Sequence, residues 1–339
     1  MRVVTMGEMM LRLMPSGHQR FEQATSFDAY YGGDESIVAV SLSRFGLDSR
    51  YITKLPVNPL GDIALNKLRE QGVDTAHIAR GGERLGINFY ENGVSMRPSN
   101  VVYDRKNSAI SQADPKDFDF DAIFSGADWF HVAGITPAIS DSAAVLVETA
   151  IVSAKSHGIT VSVDLNYRSK LWSPEKARDV MVPLMRYVDV CIGNEEDAEK
   201  VLGMAPTGTD VHSAKLSSDG YRDLFLRMKE RFGFRLIGTT LRESYSASDN
   251  GWSALLYDGD TFYQTRKYDI RLVDRGGGGA SFAAGLIYGT LHGYDLQTTG
   301  EFAAAASALK QTIVGDFNLV GLREVKALMD GDISGRVNR

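Results

Sequence analysis

Four consecutive glycines, Gly276 to Gly279, separate an apolar stretch at 268–273 from a small-residue run at 281–288. The order reads as strand, turn, glycine loop and helix. A loop without side chains turns successive backbone N–H groups inward, and the helix behind it adds the positive end of its dipole. The segment is therefore a candidate site for a phosphate or another anion. Its plainer reading is a flexible connection between strand and helix. The run fits neither the dinucleotide fingerprint nor the Gly-Lys-Ser/Thr ending of a Walker loop. It also supplies no proton acceptor: Ala280 is expected to open the helix, where a carboxylate would face a substrate bound beside the anion. Asn194-Glu195-Glu196-Asp197 is a second chemical candidate. As local sequence it is a helix start, with Asn as cap and acids in the first turn.

The elements that must hold these residues alternate in kind. Runs at 129–133, 160–164 and 188–192 read as strands, and 141–150 and 174–186 as helices. Strand, helix and strand at this spacing predict βαβ units, hence a parallel sheet with helices on both faces. Such sheets bind ligands at the carboxyl ends of their strands. Asp164, Asn194 and the glycine loop each follow a predicted strand, so one edge should gather all three. Residues 11–31 and 85–103 lack helical periodicity and read as extended strands outside the main sheet, either a lid or two surface hairpins.

With 339 residues the chain can bury one large α/β core with an appendage, or two small domains. A net charge of -6 and the lack of a long Lys/Arg run argue against a nucleic-acid surface or an anionic membrane as partner. Residues 1–7 read as a first strand. No apolar stretch approaches 18 residues, so neither a signal peptide nor a membrane span is expected, and the cytoplasm is the default location. Cys191, the single cysteine, falls in an apolar strand and is expected to be inert core.

The stretch from Val273-Asp274-Arg275-Gly276 to Ala284-Gly285 resembles the Asp-x-x-Gly-x-Gly-Asp signature of the ribokinase-like (PfkB) carbohydrate kinases. Gly32-Gly33-Asp34-Glu35-Ser36-Ile37, Asp164-Leu165-Asn166-Tyr167-Arg168, Asn194-Glu195-Glu196-Asp197 and Thr240-Leu241-Arg242 follow in the family's order. The likeness spans nearly the whole chain and is greatest to the family's bacterial 2-keto-3-deoxygluconate kinases. It implies a three-layer α/β/α sandwich over 1–339 as one unit, with a mainly parallel sheet and a small β lid at 11–31 and 85–103 through which two copies pair. It implies ATP and Mg2+, with K+ as a further candidate, and a small sugar acid as acceptor. Gly277, Gly278 and Gly279 would form the anion hole. Asp164, Asn166, Asn194, Asp197, Thr240, Arg242 and the loop glycines would serve the nucleotide, with Asn194 and Asp197 reaching the metal through water. Gly32, Gly33, Asp34, Ile37, Asn88, Tyr103, Arg105 and Arg168 would surround the sugar. For its carboxylate, the two guanidinium groups are the apt grips, being planar and bidentate.

The chain departs from that pattern mostly at the acceptor. Ala280 replaces the family's catalytic aspartate, Ile37 an asparagine, Asp34 a glycine and Asn88 a tyrosine, while Gly276 and Val314 differ on the nucleotide side. Asp34 should repel an anionic acceptor unless an arginine compensates it. The resemblance therefore implies an ATP-dependent sugar-acid kinase, and the departures imply a strongly impaired one. The alternative is a non-catalytic protein that binds a nucleotide or metabolite as sensor, regulator or partner.

Overall fold

The computed structural model describes residues 1–206 and 218–332. Its centre is a nine-stranded sheet. Strands Asp48–Ile52, Arg2–Met6, Trp129–Ala133, Thr160–Asp164, Val190–Ile192 and Leu236–Ser244 lie side by side in that order, all parallel. Asp249–Tyr257 then pairs antiparallel with Leu236–Ser244 and carries Phe262–Gln264 and Tyr268–Arg271.

Alternation along each strand splits the core in two, because successive side chains point to opposite faces. Val4, Val161 and Val163 enter one apolar cluster, while Val3, Val190 and Ile192 enter the other. Four helices matter below: α1 (Asp34–Arg44), α2 (Asp141–Ser156), α3 (Gly278–Leu291) and α4 (Leu296–Lys310). Helix α2 covers the first face through Leu146, Val147, Ala150, Ile151 and Ala154, a helical spacing of apolar residues. Helices α1, α3 and α4 cover the second, where Phe282, Phe302 and the alanines 303–306 are fully buried. The result is the three-layer α/β/α sandwich, with helices on both faces of a mainly parallel sheet. The helix expected at 174–186 is α-helical only over Pro174–Met181. It tightens to 3-10 geometry over Val182–Tyr187, where Pro183 removes an amide donor.

Residues 11–31 and 85–103 contribute to a separate four-stranded sheet, ordered Asp28–Gly32, Met10–Met14, Gly86–Glu91, Asn100–Asp104. Residues between Met14 and Asp28 are not strand and include a short 3-10 turn, Phe21–Gln23. Arg12 fastens this sheet to the glycine loop. Its guanidinium meets Asp274 at 2.9 Å and Asp316 at 2.7 Å, and lies 4.0 Å over the Tyr90 ring.

Candidate active site

Strand register sets the level at which the site forms. Asp164 pairs with Ile192, and Ile192 with Gly238, so Asp164, Asn194 and Thr240 come together at the carboxyl edge of the parallel strands, Thr240 on a strand that runs on in pairing with Asp249–Tyr257. There they border a cavity of about 420 Å3 that is also lined by Asp34, Asn166, Arg168, Asp197, Arg242, Gly277, Gly278, Gly279 and Ala280. Sequence reasoning missed Arg275, Gln311, Trp252 and Phe282 on the same wall. Arg275 lay within a quoted motif and was a recoverable signal. Gln311 had none.

The glycine loop begins under Asp274, whose Oδ1 accepts the Gly276 N–H at 2.9 Å and whose Oδ2 accepts the Gly315 N–H at 3.0 Å. Gly277 caps α3 in the left-handed region, with φ +81°, and a Cβ there would sit 2.8 Å from the Asp316 carbonyl oxygen. Helix α3 therefore starts at Gly278, two residues before the expected Ala280. The first helical hydrogen bond runs from the Ser281 N–H to the Gly277 carbonyl. The N–H groups of Gly278, Gly279 and Ala280 precede it and have no helical carbonyl to bond, which is how an anion is held at a helix start. Behind the loop, fully buried Lys310 donates to the Ile313 carbonyl at 3.3 Å, and burial lowers its pKa below the usual lysine value. Arg242 and Arg275 add positive charge at the cavity wall.

Across the cavity lie carboxylates. Asp164 Oδ1 accepts the N–H of Asn166, a residue with φ +41°. Asp197 Oδ1 accepts the Tyr167 N–H at 2.8 Å, while Oδ2 accepts the Asn194 N–H and Asn194 Oδ1 accepts in return from the Asp197 N–H. This reciprocal cap is the local helix start that the sequence predicts. Burial is the first cause raising the Asp164 carboxyl well above the carboxylate range, followed by the charges of Asp34 and Asp197. The Asp197 carboxyl also rises through burial. No group of three or more His, Cys, Asp or Glu among the described residues is arranged to hold a metal. The oxygen donors here suit a magnesium ion that arrives with phosphates and keeps its waters, and not a preformed cage.

Asp34 opens α1 and is partly exposed, with its Oδ2 atom buried and without a hydrogen-bond partner. Burial raises its carboxyl above the ordinary range, opposed by the charge of Arg168 and by a hydrogen bond with the Asn166 side chain, and reinforced by Asp197. Arg168 is thus the compensating arginine for the Asp34 charge. Next to it in sequence, Glu35 is 1% exposed; its Oε1 accepts the Ala133 N–H and the Thr136 hydroxyl. Burial, then the Asp34 charge, pushes Glu35 up to about 8.

A second cavity of about 450 Å3 is walled by Tyr103 and Arg105 from the small sheet and by Ile135, Tyr167, Arg168 and Lys170. Arg105 lies in a buried ion pair with Glu8, whose other oxygen accepts the Ser108 hydroxyl at 2.6 Å. Arg168 borders both cavities and gives one hydrogen bond, to the Tyr167 carbonyl.

Four residues expected at the sugar line neither cavity. A Cβ on Gly32 would meet the Asp316 side chain at 2.4 Å, and one on Gly33 would lie 1.8 Å from the Glu8 carbonyl oxygen, so close packing already accounts for both glycines. Ile37 belongs to the apolar cluster beneath α3, and buried Asn88 points its amide at Met10 Sδ, 3.9 Å away. Cys191 is fully buried, as expected.

The family model described as pfkB family carbohydrate kinase matches residues 1–222. A 2-dehydro-3-deoxygalactonokinase of Haloferax volcanii is 34% identical over 98% of this chain and 98% of its own. The crystal structure of 2-dehydro-3-deoxygluconokinase from Thermotoga maritima is 50% identical, covers 98% of this chain and 100% of its own, and superposes with a TM-score of 0.94. A PfkB family carbohydrate kinase from Listeria grayi is 32% identical, covers 97% and 100%, and has a TM-score of 0.90.

Proposed function

The chain belongs to the pfkB family of carbohydrate kinases, and on that premise we propose that it transfers the γ-phosphoryl group of ATP to a hydroxyl of a 2-keto-3-deoxy sugar acid, slowly. The observation that carries the reading is the pairing of two cavities across Arg168, one built for phosphate and the other flanked by a guanidinium without an ion pair among the described residues. The three free N–H groups at the start of α3, with Arg242 and Arg275, oppose charge on the transferring group, and such electrostatic stabilisation carries most of a loose phosphoryl transfer. Magnesium arriving with the nucleotide would neutralise phosphate charge, with Asn194 and Asp197 reaching it through water. The buried Lys310 amino group fills the space behind the loop, and K+ is left out of this reading. The acceptor carboxylate is held by Arg168 in the second cavity; Arg105, committed on one edge to Glu8, shapes that cavity with Tyr103.

Ala280 sets the rate. Its methyl group cannot take a proton, and general-base catalysis is worth about 10²–10⁴-fold. Ala280 also favours the second reading, a protein that binds nucleotide or metabolite without turning it over. The proposal carries with it a cytoplasmic setting and pairing of two copies through the small sheet, which acts as a lid. Among the described residues no helix is long and apolar enough to cross a membrane. The test is a coupled ADP-release assay on 2-keto-3-deoxygluconate and its galactonate epimer, with Ala280→Asp in parallel. The expected result is slow turnover that rises by about 10²-fold or more in Ala280→Asp. Binding of magnesium-ATP with no phosphorylation by either protein would favour the second reading.

A further inference from the structure

We propose that Asp34 takes the proton of the acceptor hydroxyl in this chain, doing from the start of α1 what a carboxylate at position 280 would do from the start of α3. The inference rests on the phosphoryl-transfer reading and adds a residue to it.

Helices α1 and α3 pack side by side, and Ile37 Cδ1 lies 3.3 Å from where a Cβ on Gly277 would stand. Their N-terminal ends consequently open on the same cavity, lined by Asp34 and Ala280 alike. One end presents N–H donors and no acid; the other presents an acid. Of the carboxylates around this cavity, Asp197 is occupied on both oxygens by backbone N–H groups, and Asp164 accepts from Asn166 through its N–H at 3.1 Å and its amide at 3.5 Å. Asp34 is the least committed: its Oδ2 has no partner and the Asn166 side chain is the one hydrogen-bonding group set against it.

A second orphan lies nearby. Asn166 is 6% exposed, lines the same cavity, and its Oδ1 is also buried without a donor. Buried acceptors left unpaired are destabilising, so two on one cavity wall call for a ligand that brings donors. A polyhydroxy acid does so with its hydroxyl groups. Arg168, which borders both cavities, carries the positive charge set against Asp34. An acceptor held by its carboxylate at Arg168 thus brings its hydroxyls past Asp34 before one reaches the glycine loop. Burial keeps the Asp34 carboxyl above the ordinary carboxylate range, which makes it a stronger proton acceptor than an exposed aspartate.

In the step, the acceptor O–H bond breaks and its proton passes to the Asp34 carboxylate. The freed electron pair on oxygen forms the bond to the γ-phosphorus of ATP. The bond from that phosphorus to the bridging oxygen breaks, and its electron pair leaves with ADP. Asp34 returns the proton to water as product departs.

The experiment compares the full chain with Asp34→Asn and Asp34→Ala, each also made in the Ala280→Asp background. The readouts are kcat and KM for 2-keto-3-deoxygluconate and for magnesium-ATP, with thermal melts to verify folding. Both Asp34 substitutions should lower kcat by about 10²-fold while KM for ATP stays within about threefold. In the Ala280→Asp background the same substitutions should cost about tenfold or less, since two groups that serve one step are not additive. Equal losses in both backgrounds, or Asp34→Asn turning over like the starting protein, overturn the proposal and leave the kinase reading standing. Absence of transfer by the starting protein, with ATP bound, overturns both at once and is recognised because no Asp34 variant then changes anything.

Discussion

Replacing Arg12 by methionine should destabilise the protein and loosen the loop that holds phosphate. The guanidinium, 3% exposed, is shared between Asp274 and Asp316 and lies over Tyr90. Methionine keeps much of the volume and removes the charge, leaving two carboxylates facing one another. Breaking a buried ion pair by deleting one partner costs about 3–5 kcal/mol. The two acids do not share that cost equally. The Asp316 side chain is 14% exposed and can turn to water, whereas Asp274 is fully enclosed. Asp274 does retain the N–H groups of Gly276 and Gly315, which offset part of the loss. The expected value is therefore near the lower end, about 3 kcal/mol. Urea unfolding gives that number directly, and a cycle with Asp274→Asn isolates the pair. The double variant should be less destabilised than the sum of the singles by at least about 1 kcal/mol. A single-variant loss below about 1 kcal/mol, the scale of a surface ion pair, would refute the argument that this cluster fastens sheet to loop.

Gly277→Ala forces a side chain into the left-handed region and against the Asp316 carbonyl; it should cost at least about 1–2 kcal/mol in urea unfolding and weaken magnesium-ATP binding, and a neutral substitution would mean that the loop is not held as described. Glu35 has a folded pKa of about 8 against 4.5 when unperturbed, so its contribution to stability is complete below about pH 4.5 and is lost as pH rises through 8. Glu35→Gln should flatten the fall in melting temperature between about pH 5 and 8, and an unchanged slope would exclude Glu35 as its source. Nucleotide affinity should not depend on a carboxylate at position 280: at 100 times its Kd, magnesium-ATP should stabilise the starting protein and Ala280→Asp alike by about 2.7 kcal/mol, and no thermal shift at millimolar ATP would contradict the anion site.

What the sequence made legible was whatever depends on neighbours in the chain. Asn194 and Asp197 bond each other three residues apart, and the strand–glycine–helix order around Gly277 is equally local. The α/β alternation was readable because a buried parallel strand is apolar throughout. The start of α3 was misjudged by two residues, since glycine is a poor helix former and Gly278 is held there by a tertiary contact, the Ser307 hydroxyl donated to its carbonyl. Contacts between distant residues left no trace. Arg105 was readable as a grip for a carboxylate, but its pairing with Glu8, 97 residues away, was not. Neither were the core position of Ile37 nor the cluster around Arg12, because hydrophobic spacing reports a buried face and not what lies across it.

That cluster also has a consequence for how the protein is made. Arg12 and Asp316 are 304 positions apart, so at a synthesis rate of about 5–20 residues per second the arginine waits roughly 15–60 s for its second acid to leave the ribosome. Most of the parallel sheet can assemble meanwhile, but the phosphate loop cannot be fastened. The nascent chain thus completes its phosphate loop only when its last residues emerge, and a product truncated before Asp316 would leave the buried Arg12 with Asp274 alone.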